Sequence, residues 1–306
     1  MRSNGMMSDV VSLPDPVSDE SDVLQGAVDY DDEDVCSHSD MSLPNAFDDD
    51  DEWWSDTDMP DSLGPASISV PQPSEVACLR GKHDVAEFYS PPRVVGHAVS
   101  RGLTGCLSLD LQTHWDFNKT RDQDLSLELL DKLKIQYLML SPPCTAFSVI
   151  QELWNFKKYT AEKVKAILDQ GRHYLNHSMR CAVAQHRGGR IFVHEHPSHA
   201  SSWKEASVKE VVSQPGVYTA VFDQCMFGLV TKVTRTPTRK RTKLLTNSWA
   251  IACRFNGVYC DKSHPHQVIQ GDEGGVRRSV WAQQYPAPMV AALVEGIIAH
   301  NSQHPS

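Results

Sequence analysis

The chain has 306 residues and a formal net charge of −10. That charge is divided: residues 1–75 hold 20 acidic residues and one basic residue, Arg2, a net −19, whereas residues 76–306 hold 28 basic and 19 acidic residues, a net +9. The acidic overall balance therefore does not exclude a polyanionic partner. The absence of any membrane-length apolar run, or of an apolar N-terminal core of signal length, argues against a membrane or secreted protein.

Eight cysteines are scattered without a CxxC pair. Reduced thiols in an intracellular setting, nuclear or cytoplasmic, are expected. Residues 1–77 are rich in Asp, Ser and Pro and lack hydrophobic periodicity, so a disordered acidic arm is predicted there. Within it, Asp48–Glu52 runs into Trp53-Trp54, a docking segment or simply a solvated tail. Ser18, Ser21 and Ser55 precede acids and are candidate phosphate acceptors. One α/β domain is predicted over 78–302.

Along that domain, 84–89 reads as a short strand broken by Ser90-Pro91-Pro92. A helix with Val94, Val95, Ala98 and Val99 on one face follows, with Pro92 in its first turn, ending at Gly102. Cys106–Asp110 is a second strand, a helix near Leu125–Leu133 comes next, and Gln136–Leu140 is a buried strand ended by Ser141-Pro142-Pro143-Cys144. Thr160 suits an N-cap, and apolar residues keep helical spacing to about His186. Arg190–His194 is the next strand, Trp203–Val212 a helix, Val217–Phe222 and Lys243–Thr246 further strands, and Met289–Ile298 marks a last helix. Strands alternating with helices predict a mostly parallel, Rossmann-like α/β sheet with its chemistry at the strand C-termini.

Three polar clusters fall at such ends: 89–92, 141–144 and 195–197. Two prolines place Cys144 on a rigid turn, the pre-organisation a nucleophile needs, with a buried structural cysteine as the alternative. The hydroxyls from Thr145 to Ser148, near a helix start, would lower a thiol pKa. Glu195, flanked by His194 and His196, supplies a carboxyl group for proton transfer beside it. A Cys/His hydrolase using either imidazole is a weaker alternative. Arg235, Arg239, Lys240, Arg241 and Lys243 form a basic cluster suited to phosphates, or a solvated loop. Cys253, Cys260, His264 and His266 have the donor types of a tetrahedral zinc site at a non-standard spacing, with a polar loop as the alternative.

Ser141-Pro142-Pro143-Cys144 with Phe147-Ser148 resembles the Pro-Cys nucleophile motif of DNA cytosine-5 methyltransferases. Glu195 falls where that family has the Glu of its Glu-Asn-Val motif. Asp223–Gly228, Pro237–Lys243 and Thr246-Asn247 are similar to its late basic motif, and Tyr285–Val290 resembles its final one. The order of these motifs matches the family, and the late basic motif is most similar to divergent phage or mobile-element-encoded members. The resemblance implies a Rossmann-like S-adenosylmethionine methyltransferase fold. It also implies Cys144 adding to cytosine C6, Glu195 assisting at N3 and Lys240 near the base and phosphate. S-adenosylmethionine is the implied cofactor and DNA the implied partner. Cofactor positions carry over to Phe88, Ser90, Pro91 and Pro142, with Asp110 at ribose hydroxyls and Asp116 facing the adenine. Tyr89-Ser90-Pro91-Pro92 replaces the family's glycine-rich turn. That departure favours an alternative, a catalytically degenerate module binding nucleic acid or protein. The acidic arm is expected to contact the chain's own basic body or a protein partner.

Overall fold

The computed structural model describes residues 84–303; the acidic arm predicted over 1–77, residues 78–83 and residues 304–306 lie outside the described residues. Val85–Phe88 forms β1, and Val94–Ser100 forms α1. Gly105–Leu109 is β2, Thr120–Leu133 is α2 and Tyr137–Leu140 is β3. The 27-residue α3 spans Ala161–Arg187, β4 spans Ile191–Pro197 and α4 spans Ala206–Val212. Tyr218–Asp223 is β5, Arg241–Thr246 is β6 and Trp249–Phe255 is α5. A two-stranded ribbon of β7 (Asp272–Glu273) and β8 (Val276–Arg277) precedes α6 (Arg278–Trp281) and α7 (Ala287–Gln303).

The main sheet has the order β2-β1-β3-β4-β6-β5. Pairs β2/β1, β1/β3 and β3/β4 are parallel, and β6 runs antiparallel to both β4 and β5. The Rossmann-like, mostly parallel sheet expected from the sequence is therefore present, with one reversed strand. Residues alternate between two cores. Phe88, Leu138, Leu140, Phe192 and Leu245 pack with α2, α3 and α4. Val85, Met139, Val193, Phe222 and Leu244 pack with α1, α5 and α7. Helices thus cover both faces, which is why β1 and β3 are buried at every position. Each fully buried Phe or Leu contributes about 1.5–3 kcal/mol relative to exposure.

Several predicted boundaries shift for local reasons. Thr160 does cap α3, its Oγ1 accepting from the Lys163 N–H at 3.3 Å. Pro92 instead precedes the helix, and Arg93 is the N-cap residue of α1. Val99 is exposed, because only Val94 and Ala98 of that helix reach full burial. The helix expected over 203–212 is a 3-10 turn, Ser201–Lys204, followed by α4. Strand β4 continues three residues past the expected His194, because β6 offers it antiparallel partners there: Glu195 opposite Leu244 and His196 opposite Lys243. Ser248 caps the unanticipated α5 through the Ile251 N–H. Among the described residues no helix is long and apolar enough to cross a membrane.

Candidate active site

The strand order reverses between β1 and β3, and in such sheets ligands sit beyond the strand C-termini at that crevice. Register brings Phe88, Leu109, Leu140 and His194 level with one another. The reversal of β6 then has a chemical consequence. Its N-terminal end lies beside the C-terminal end of β4, so Lys240, one residue ahead of β6, arrives at the same edge.

Glu195 lies on the α7 side of β4 and is 6% exposed. Its Oε2 accepts from the Tyr285 hydroxyl at 3.0 Å. That hydroxyl proton being committed, Ser141 Oγ donates to Tyr285 Oη at 2.7 Å. Oε1 stands 3.6 Å from Lys240 Nζ and has no hydrogen-bond partner among the described residues. Lys240 Nζ also donates to the Ala282 carbonyl at 3.4 Å. A buried carboxylate oxygen without a hydrogen bond is costly; a water or a ligand would supply the partner, as for His194 Nε2 and Gln224 Oε1, which are buried in the same way.

Cys144 follows β3 at the start of a 3-10 turn, Thr145–Phe147, and is half-buried. Desolvation pushes its thiol above the ordinary value; the Lys240 charge pulls it down and the Glu195 charge pushes it up. The lowering expected from a helix start is thus overturned: the turn is three residues long and burial wins. Cys144, Glu195 and Lys240 are brought to one place from three elements. Tyr285 and Ser141 complete the polar chain.

The flanking imidazoles face the other side of β4. Burial holds His196 down to about 4, so it is neutral at physiological pH. Its Nε2–H donates to the Pro142 carbonyl at 3.1 Å and its Nδ1 accepts from Ser202 Oγ at 2.7 Å. His194 pairs with Ser178 Oγ at 3.0 Å and is likewise held neutral by burial. Neither imidazole bonds to the thiol, which removes the geometric basis of a Cys/His hydrolase. His196 instead fastens the loop that carries Cys144.

The β1 end is built differently. Phe88 is fully buried in the core, so only its backbone reaches the crevice. Tyr89 takes a left-handed conformation, φ 64°, where glycine is the usual occupant. Its ring packs on Phe117 at 4.6 Å, and its hydroxyl donates to the Tyr174 carbonyl and meets His177 Nδ1. Those contacts offset a conformational cost of about 1–2 kcal/mol. Ser90 is buried; its Oγ donates to the Pro91 carbonyl and its own carbonyl accepts from Ser108 Oγ. Glu87 accepts the backbone N–H groups of Arg93, Val94 and Val95, closing the N-terminus of α1.

Asp110 ends β2, half-buried, with Oδ1 accepting from the Gln112 N–H at 3.0 Å. Asp116 lies farther along that loop, accepting from the Asn118 N–H and pairing with Lys119 at 3.2 Å. Pro142 is buried beneath Cys144. The basic cluster is not one solvated patch. Lys240 turns into the site, Arg241 pairs in two bonds with Asp223, Lys243 covers the Trp203 ring, and Arg235 is exposed. Of the candidate zinc ligands, Cys253 is exposed on α5 and apart from the others, whereas Cys225 joins Cys260, His264 and His266.

No family model and no curated protein matches the chain. A solved structure of the Entamoeba histolytica methyltransferase EhMeth aligns with a TM-score of 0.35 and 12% identity, over 64% of this chain and 58% of that one. The chain thus spans less than two thirds of that protein. At such a distance the sheet order and register define the fold, and the site rests on its own geometry.

Proposed function

We propose that the chain is a cytosine-5 methyltransferase-like enzyme acting on nucleic acid. The observation that carries this reading is the convergence of Cys144, Lys240 and Glu195 at one strand edge, with Glu195 Oε1 buried and lacking a hydrogen bond. Cytosine C5 is a weak nucleophile. Addition of the Cys144 thiolate to C6 forms a carbon–sulfur bond and shifts the C5=C6 pair onto C5; once C5 carries the methyl group, loss of its proton to a base or water and breaking of the C6–S bond would restore the double bond and release the Cys144 thiolate. Glu195 Oε1 is free to hold or protonate N3 and so to stabilise that charge. Lys240 favours the thiolate and balances Glu195, and Tyr285 with Ser141 fixes the carboxyl plane. The target base must leave its stack to reach such a pocket, and a +9 body suits the flanking phosphates. DNA is the partner this chemistry favours.

S-adenosylmethionine supplies the methyl group that the activated C5 accepts. The donor set at the β2 end suits it: Asp110 stands where an acid takes ribose hydroxyls in nucleotide folds. Ser90, Pro91, Pro142, Asp116 and the Phe88 backbone would form the remaining walls. Tyr89 keeps the left-handed turn without glycine.

A second reading is a degenerate nucleic-acid or protein-binding module. Pro91 and Pro92 favour it, because neither offers an N–H where a glycine-rich turn would. Incubation of the full chain with labelled S-adenosylmethionine and cytosine-containing DNA or RNA separates the two. The proposal expects 5-methylcytosine in nuclease digests, and none from Cys144→Ser. A folded protein that binds neither cofactor, by calorimetry, nor yields 5-methylcytosine supports the degenerate module instead.

A further inference from the structure

A second side-chain cluster lies outside this site. The sulfurs of Cys225 and Cys260 and one ring nitrogen each of His264 and His266 all lie within 4.8 Å of one another. Cys225 is buried and the other three are half-buried. From these positions we propose a structural zinc site: Cys225, Cys260, His264 and His266 bind one Zn²⁺ that fastens the loop after α5 to the end of β5. The proposal is independent of methyl transfer.

The separations fit a closed tetrahedral site. With Zn–S at about 2.3 Å and Zn–N at about 2.0 Å, neighbouring sulfur and nitrogen ligands stand about 3.5 Å apart. Cys260 Sγ lies 3.5 Å from His264 Nε2 and 3.4 Å from His266 Nε2. As thiol–imidazole hydrogen bonds these contacts would be weak, sulfur being a poor acceptor. Cys260 Sγ already accepts the Lys262 N–H at 3.3 Å, made possible by a left-handed Lys262 at φ 61°. Backbone N–H bonds of this kind orient a metal-bound thiolate. His264 and His266 flank Pro265, which disfavours a helical backbone at His264. Their rings meet edge to face at 4.6 Å and aim both Nε2 atoms at one sulfur.

Two thiolates and two imidazoles select zinc over hard cations. Four protein ligands leave no open position, so the role is structural. The neighbouring bonds show what the metal holds. The Cys260 N–H donates to Asp223 Oδ2 at 2.9 Å, and Asp223 pairs with Arg241. The Gln224 N–H, one residue before Cys225, donates to the Lys240 carbonyl at 3.0 Å. Zinc would therefore secure both the loop and the backbone that presents Lys240.

Elemental mass spectrometry on the full chain, produced with zinc in the medium, tests this. One zinc per chain is expected, retained in Cys253→Ser and lost at least tenfold in Cys225→Ser and His266→Ala. Cobalt exchange of the wild type gives a second reading that needs no variant: tetrahedral d–d bands with thiolate-to-cobalt charge transfer. A folded wild type that holds no zinc and takes up no cobalt overturns the proposal. So does a Cys225–Cys260 disulfide in the protein kept under reducing conditions, or zinc kept in Cys225→Ser but lost in Cys253→Ser.

Discussion

The β1–β2 edge and the β4–β6 edge of the sheet solve opposite problems. At the first, polar groups are turned inward and satisfied: Glu87 on three backbone N–H groups, Ser90 on Pro91, Tyr89 on Tyr174. At the second, Glu195 keeps one buried oxygen without a hydrogen bond beside a half-buried ammonium and a desolvated thiol. A satisfied network stabilises a fold, whereas an unpaired buried group is costly until a water or ligand completes it. Under the proposed function the β4–β6 end carries the reaction, and β1–β2 is a firm wall with one acid, Asp110, at its rim.

The largest effect follows from breaking the reactive edge. Glu195→Gln keeps a group for Tyr285 but removes the proton donor and the charge. Methyl transfer is expected to fall by about 10²–10⁴-fold, with nucleic-acid binding nearly unchanged. An equal loss of both would mean that Glu195 only positions the pocket.

Acid tests the wall between the edges. His196 is held near 4 when folded and returns to its ordinary 6.5 when unfolded. Its contribution is complete above 6.5 and is lost as pH falls toward 4, by roughly 3 kcal/mol. Urea unfolding at a series of pH values should show that slope added to those of the buried His194 and His177, and His196→Gln should make it shallower by one histidine's share. An unchanged slope in the variant would assign the effect elsewhere.

At the satisfied edge the change is smaller. Asp110→Asn still accepts the Gln112 N–H but loses its charge, and should weaken cofactor binding by about tenfold, the equivalent of about 1.4 kcal/mol, with the melting temperature unchanged. Calorimetry reads the first and scanning fluorimetry the second. The smallest effect concerns residues 1–75. If their −19 competes with nucleic acid for the +9 body, deleting them tightens DNA binding by about fivefold at low salt and not at all near 1 M. Equal affinity at low salt would separate the arm from the site.

The sequence made the reactive edge legible where chemistry and chain coincide. Cys144 follows β3 and Glu195 lies near the C-terminal end of β4, and the parallel strand–helix pattern sets those two ends side by side; Lys240 joins them only because β6 runs the other way. The Tyr285 hydroxyl was not legible in the same way. It meets Glu195 and Ser141 across 90 and 144 residues, and only tertiary packing brings them together. The extension of β4 through Pro197 depends on β6, whose reversed direction no local pattern encodes. α5 did carry a signal, Ser248 before Ile251, Ala252 and Phe255 at helical spacing. Among the cysteines, local spacing pointed to Cys253, which α5 turns to the exterior. Cys225 reaches the cluster because β5 ends beside the loop.

Cytosine-5 methylation through this site requires a bond between Cys144 and cytosine C6. DNA containing 5-fluorocytosine blocks loss of the C5 substituent and should trap that bond. With cofactor present, wild-type protein is expected to run as a DNA adduct on a denaturing gel, and Cys144→Ser is not. A wild-type protein that binds both DNA and cofactor yet yields no adduct, or a Cys144→Ser variant that still yields one, would contradict the claim.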